Sequence, residues 1–428
     1  MTLLPTQRAS LMLAALCCAS HSAVYAGFID DGKGNVELRN FYFDRDFHGD
    51  SATQSRRNEW AQGFTLKLQS GFTPGPVGFG LDAVGMLGIK LDSSADRSGT
   101  GLLPRGTDKR AVDEYSKAIG TFKAKFSQTE VRVGGLSPQL PLLASNNSRL
   151  FAQWFNGAQL VSKDVDTFTF TFLKADSTKL RDSTDFEDLT AMAQQGAYST
   201  SVTSNRLYYA GVDYQPLKNL TLSVHTSQLE NLFQRNFAGF KYKIGVGPGE
   251  AFTEWRYFSA KQQGRDLLGK VDNRTLSTNV GYSIKGHTLS GGYQKVSGDT
   301  AYAYVGGTDT YLFSEQQIST FSLENERAWM MRYDYDFAAL GVPGLTFNVR
   351  YVKGDQVDPQ HISSVKGRAL NAAGGEGEEW ERTTDLSYVV QSGTFKNVAL
   401  RWRNAKMHSN FADAADENRI IVGYTFAF

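Results

Sequence analysis

Apolar and polar residues alternate with period two along most of this chain. At the C-terminus Ile420, Val422, Tyr424, Phe426 and Phe428 alternate with Arg419, Ile421, Gly423, Thr425 and Ala427. Phe168, Phe170 and Phe172 alternate with Thr167, Thr169 and Thr171. Trp329, Met331, Tyr333, Tyr335 and Phe337 alternate with Met330, Arg332, Asp334 and Asp336, and Leu345, Phe347, Val349 and Tyr351 with Thr346, Asn348 and Arg350. This is strand periodicity with one apolar face. The opposite face carries full charges, which a packed interior does not hold in such number. Lipid outside and water inside satisfy both faces, as in a transmembrane barrel.

Connections support the same architecture. Short Gly/Pro/Asn turns occur at 71–76, 215–219, 245–249, 285–286, 341–344 and 392–397. Between them lie longer polar stretches at 92–110, 137–156, 178–205, 263–270, 297–326, 354–379 and 407–416. Alternating short turns and long loops mark an outer-membrane barrel. Eighteen strands are predicted, centred from Arg39 to Val422. A barrel of roughly 16–18 strands encloses an aqueous channel. The fold class is therefore all-β: one 18-stranded antiparallel transmembrane barrel. The stretch 138–150, P-Q-L-P-L-L-A-S-N-N-S-R-L, is unusually apolar for an external loop and is predicted to fold inward, with Arg149 toward the pore; the alternative is an ordinary surface loop. The stretch 297–326 can fold in likewise and brings Asp309 and Glu315 as an acidic face.

The N-terminus gives the compartment. A basic start, an apolar run at 9–20 and Val24-Tyr25-Ala26 form a secretory signal peptide over 1–26, leaving 27–428 as the barrel. Both cysteines, Cys17 and Cys18, lie in that leader, so no disulfide scaffold or thiolate metal site is available. Removing 26 of 428 residues leaves 402, and the loss of Arg8 brings 44 basic residues level with 44 acidic ones. That balance gives no reason to expect nucleic acid as a partner. No later apolar run reaches about 18 residues, so no spanning helix is expected. Ending on Phe428, with Tyr424 and Phe426 at alternate positions, matches the recognition signal of outer-membrane barrels, and implies the barrel-assembly machinery and outer-membrane lipid as partners.

Parity then assigns charges to the lumen. Arg401, Arg403 and Arg419 point inward from the last two strands, Arg39 from the first and Arg350 from the strand centred on Val349. Lys123, Lys125 and Arg132 are further inward candidates. A column of such charges would guide an anion without one deep well. The alternative is that they only pair with the inward acids Glu37, Asp82, Asp334 and Asp336.

Five stretches make a resemblance specific: L-R-N-F-Y-F-D-R-D-F at 38–47, G-F-G-L-D-A-V-G-M-L-G-I-K-L-D at 78–92, S-R-L-F at 148–151, Y-Q-K-V-S-G-D-T at 293–300 and G-V-P-G-L-T-F-N-V-R-Y at 341–351. With these the whole of 27–428 resembles the OprD family of outer-membrane porins, the Occ carboxylate channels. The resemblance implies a monomeric 18-stranded barrel in the bacterial outer membrane, narrowed by its inward-folded third and seventh external loops. It implies small carboxylate solutes; the inward arginine parity, for its part, leads to the expectation of facilitated diffusion with no chemistry, no cofactor, no metal and no energy coupling. The resemblance places Arg39, Arg350, Arg401, Arg403 and Arg419 in a basic ladder and Arg149 and Asp309 at the constriction. The region 308–326 departs from the family pattern in length and residues. Of the two branches, the one taking cyclic or aromatic carboxylates is favoured over the one taking basic amino acids.

Rival classes are few. An outer-membrane hydrolase needs a nucleophile beside a histidine, and His225-Thr226-Ser227 is only a local coincidence. A plugged receptor of about 22 strands does not fit this length. A structural barrel without a channel would show no conductance.

Overall fold

The computed structural model describes residues 26–49, 54–199 and 201–428. Apart from Ala26, the expected leader lies outside the described residues. Eighteen antiparallel strands close into one barrel. In chain order they begin with β1 (Lys33–His48), β2 (Arg56–Gln69), β3 (Val77–Asp92), β4 (Glu114–Phe126), β5 (Thr129–Leu136) and β6 (Trp154–Ser162). There follow β7 (Phe168–Lys179), β8 (Leu207–Leu217), β9 (Leu220–Leu229), β10 (Phe233–Val246), β11 (Gly249–Gln262) and β12 (Asp272–Ile284). The barrel ends with β13 (His287–Gly298), β14 (Arg327–Asp336), β15 (Leu345–Val357), β16 (Gly377–Val389), β17 (Ala399–Ser409) and β18 (Ala414–Ala427).

Each strand pairs with its chain neighbour, and β1 pairs with β18 from Asn35–Ala427 to His48–Ala414. Gly34 and Phe428 extend that seam by exchanging backbone hydrogen bonds of 3.0 and 2.9 Å. Closure leaves no strand edge, as hydrocarbon requires. The outward residues of the alternation are exposed, among them Trp329, Met331, Leu400, Trp402, Ile420 and Phe426. At one end the strands join through tight turns. In the turn 285–286 both Lys285 (φ 47°) and Gly286 (φ 84°) are left-handed, as a two-residue hairpin turn demands.

The other end carries the long loops. Loop 2 (93–113), loop 3 (137–153), loop 4 (180–206) and loop 7 (299–326) contribute residues to the apolar clusters inside the barrel. One cluster joins Leu142 and Leu143 of loop 3, Leu189 of loop 4 and Tyr302 to Val305 of loop 7 to the β8–β11 wall. A second joins Leu102 and Leu103 of loop 2 and Leu150 and Phe151 of loop 3 to Phe41 and Phe43 of β1. A Cβ at Gly63 on β2 would stand 3.0 Å from the Leu150 side chain, so the wall is thinned where loop 3 docks. Loops 3 and 7 enter as expected; loops 2 and 4 enter as well. The long connection expected at 407–416 is only 410–413, because β17 and β18 continue their alternation past the apolar belt.

Candidate pore and its constriction

Strand register stacks the inward residues of β1, β17 and β18 in rungs. Arg45 lies opposite Glu417, Phe43 opposite Arg419, Phe41 opposite Ile421 and Arg39 opposite Gly423. On the next strand Arg403 lies opposite Arg419 and Arg401 opposite Ile421. Successive rungs are two residues, roughly 7 Å, apart, so the column from Arg45 to Arg39 runs roughly 20 Å along β1. The long-loop mouth is a cavity of about 670 Å³ with Arg45 and Arg57 in its lining. On the turn side Arg39, Arg149, Arg401 and Arg403 share a cavity of about 570 Å³ whose lining contains one acid, Glu37.

Acids and carbonyls brace these cations, and two of the acids each hold a pair. Arg39 donates to Glu37 Oε1 at 2.7 Å, to the Arg149 carbonyl at 2.7 Å and to Asn147 Oδ1 at 3.1 Å. Asp385 of β16 receives Arg401 Nε at 2.9 Å and has Arg403 Nε at 2.9 Å. Arg419 is buried; its Nε donates to Glu417 Oε1 at 2.5 Å, and Arg45 Nε donates to Glu417 Oε2 at 2.6 Å. Arg350 turns to loop 7, donating to Gln316 Oε1 at 2.7 Å and to the carbonyls of Glu315 and Phe313 at 2.7 and 3.3 Å. Lys123 donates to Asp82 Oδ1 at 2.6 Å and the Ser70 carbonyl at 2.7 Å. Lys125 is exposed at the turn end, 6.0 Å from the Phe72 ring centre. Arg132 pairs with Glu130 and lies 3.9 Å from Asp82. Asp334 receives Arg332 at 2.6 Å, and Asp336 accepts from the Ala338 N–H at 2.9 Å.

Loops 3 and 7 meet inside the barrel. The Asp309 N–H donates to the Ala144 carbonyl at 2.9 Å, and its carboxylate accepts from Asn146 Nδ2. Arg181 of loop 4 donates to Asn146 Oδ1 at 2.9 Å and Ser148 Oγ at 2.8 Å. Arg149 donates from Nε to the Thr100 carbonyl at 2.7 Å, and its Cζ lies 5.0 Å from the Phe43 ring centre. Arg419 and Arg45 approach the same ring at 5.2 and 5.5 Å. A ring face softens the approach of like charges. Burial and the neighbouring Arg419 and Arg181 still pull the Arg149 guanidinium well below its ordinary value. An anion beside it would relieve that repulsion. Asp309 lies within charge reach of Arg149 and Arg181, and Glu315 within reach of Asp309 and Arg350. Burial raises both carboxyl groups, Glu315 to about 7.

Register also exposes residues that parity alone could have added: Arg45 shares the odd positions of β1 with Arg39, and Glu417 those of β18 with Arg419. Arg181 has no periodic signal, since it lies in a loop. His225 is buried between Tyr209 Oη at 2.8 Å and Asp213 Oδ1 at 3.2 Å, while Ser223 Oγ donates to Asp213 rather than to the ring.

The family model described as outer membrane porin, OprD family, matches residues 26–428. The porin-like protein GalP of Pseudomonas putida is 34% identical over 406 residues, covering 94% of this chain and 93% of GalP. Among solved structures, Pseudomonas aeruginosa OccK9 (OpdG) is 38% identical with a TM-score of 0.88, covering 94% of this chain and 100% of that one. Pseudomonas aeruginosa OpdK with vanillate is 33% identical with a TM-score of 0.86 and the same coverage. The chain belongs to the OprD family of outer membrane porins: it is a substrate-specific outer-membrane channel, and its relatives are porins rather than enzymes.

Proposed function

We propose that this porin passes small carboxylate-bearing solutes by facilitated diffusion, with cyclic or aromatic carboxylates preferred. The reading rests on one observation: four arginines, Arg39, Arg149, Arg401 and Arg403, line one cavity with Glu37 as the acid in its lining. Low-dielectric walls concentrate the field of such a set. Arg45, Arg57 and Arg419 continue it toward the external mouth, so an anion is handed between rungs instead of being trapped on one. Arg350, with its donors on loop 7, serves the ladder by shaping the opening. Vanillate, bound in the OpdK structure, joins a benzene ring to a carboxylate, which supports the ring-bearing class. A preference for basic amino acids would need free acids at the narrowing; Asp309 is engaged by Asn146 and Glu315 by Thr310. Residues 1–26 act as the export leader, and the terminal Phe428 addresses the chain to the assembly machinery.

Liposome uptake with a carboxylate panel tests the ladder. Arg401→Gln with Arg403→Gln strips two charges and leaves Asp385 unpaired. Carboxylate uptake at low salt should fall several-fold, at about 0.5–1 kcal/mol per charge, and less at high salt. Asp385→Asn frees both guanidinium groups and should raise uptake instead. Unchanged uptake in both variants would sink the ladder.

A further inference from the structure

The outer wall of the barrel holds a charge pattern that the pore does not use. Arg382 of β16 lies directly opposite Lys406 of β17. Both belong to the outward set: Leu386 and Trp402, four positions along on the same face, are exposed, while the alternate residues Glu381, Thr383, Ala405 and Met407 are buried inside. Cations directly opposite each other in a sheet repel. Inside the barrel such a pair comes with acids: Arg403 lies opposite Arg419, with Asp385 at 2.9 Å from the first and Glu417 at 2.5 Å from the second. The outward pair has no such support. Arg382 donates to the Asn404 side-chain carbonyl, and among the described residues Lys406 has no hydrogen-bond or ion-pair partner. Asp416 lies across from Lys406 on β18 but has His48 Nε2 at 3.1 Å instead. Lys353 of β15, one rung further and diagonal to Arg382, adds a third cation; its ion pair with Glu378 is 3.6 Å long, and both side chains are more than half exposed.

Position says what supplies the missing charge. The pair stands in the long-loop half of its strands, four residues or roughly 13 Å along them from Leu386 and Trp402. Trp380, on the next rung toward the long loops, stacks with Tyr351 at 5.9 Å and with His408 at 6.2 Å. Trp and Tyr gather where hydrocarbon gives way to headgroups. Long basic side chains at that level snorkel toward the headgroups. We infer that Arg382, Lys406 and Lys353 hold the phosphate of an outer-leaflet lipid, whose acyl chains lie along Leu386 and Trp402. The phosphate oxygens accept from the guanidinium and the ammonium together, which cancels the repulsion across the β16–β17 ladder. A guanidinium suits this role because its donors can meet two phosphate oxygens at once. Each basic group near a bilayer surface adds to the pull on an anionic headgroup. The site faces the membrane and is separate from the arginine ladder.

Native mass spectrometry of the full barrel in detergent tests the site, with bisphosphorylated lipid A and its dephosphorylated form as probes. The parent barrel should hold lipid A about tenfold more tightly than the dephosphorylated lipid. Arg382→Gln with Lys406→Gln should weaken lipid A binding about tenfold and leave the dephosphorylated lipid unmoved, and Lys353→Gln should weaken it about threefold. Arg382→Lys, which keeps the charge, should retain most of the affinity. Arg401→Gln with Arg403→Gln, the same loss of charge inside the lumen, should leave lipid A binding as in the parent. Heat-modifiable gel mobility confirms that each variant is a folded barrel, and either single substitution, with a loss of about threefold, stands in if the outward double variant does not fold. Both lipids binding alike, lipid A unmoved in every folded variant, or an equal loss in the lumen variant overturns the lipid site. A dimer mass that the outward double variant dissolves would assign this face to a second barrel and overturn it as well.

Discussion

Loops 3 and 7 enter the same barrel and meet at Asp309 and Ala144, yet different forces seat them. Loop 3 is a hydrophobic wedge: Leu142, Leu143, Leu150 and Phe151 are all 2% exposed or less. Loop 7 also buries Tyr302 and Leu312, but its segment 313–319 is pinned by polar contacts. Glu381 of β16 accepts from the N–H groups of Gln317, Ile318 and Ser319 at 2.9, 3.1 and 2.8 Å. Arg350 takes the carbonyls on the other side of the turn, and Arg256 of β11 lies 3.9 and 3.8 Å from the ring centres of Tyr311 and Phe313. A wedge is non-directional and tolerates drift. Charged pins fix position and orientation. The wedge therefore sets how far loop 3 fills the barrel, and the pins set where Glu315 stands.

The largest effect should come from the wedge. Leu142→Ala with Leu143→Ala removes two fully buried side chains, at about 2–4 kcal/mol each. Single-channel recordings should then show higher, noisier conductance, and protease should cut within 137–153. Glu381→Ala comes next. It strands three N–H groups, but lumen water can reach them once the turn lifts, so the cost is about 3 kcal/mol. Conductance should rise with cleavage confined to 299–326. Glu381→Gln, which keeps a carbonyl acceptor, should recover part of the difference. Cleavage of loop 3 in the Glu381 variant would show that the two loops share one anchor.

The same division explains what was legible in the sequence. The centres expected for the strands, from Arg39 to Val422, fall in the observed strands because lipid and water impose the alternation residue by residue. Loop 3 announced itself through leucines that water would not accept. Loop 2 enters on little more than Leu102 and Leu103, too short a signal to separate from an ordinary loop. Loop 4 enters partly through backbone pairing, Ala191 with Val305, which side-chain pattern does not encode. Glu381, Arg256 and Asp385 were out of reach for another reason. Parity marks them as inward, but only three-dimensional register shows that Glu381 faces 317–319 of a loop more than 60 residues earlier.

The smallest predicted effect isolates the acidic face. Thr310 donates to Glu315 from N–H at 2.8 Å and from Oγ1 at 2.5 Å, yet burial and the nearby Asp309 charge still raise its carboxyl to about 7. In an unfolded chain the group would titrate near 4.5. The folded state therefore binds the proton more tightly: that contribution to loop 7 seating is fully present below 4.5 and is lost as pH rises through about 7. Selectivity moves with the same proton. Acidification through 7 removes a negative charge beside Asp309 and Arg350 and should raise anion over cation permeability about twofold, by reversal potential in a salt gradient. Glu315→Gln should hold the acid-side value at every pH, while Glu381→Ala, by lifting the turn into water, should move the transition toward 4.5. A flat profile in the parent barrel, or the same slope in Glu315→Gln, would mean that the pinned loop does not place this charge in the pore.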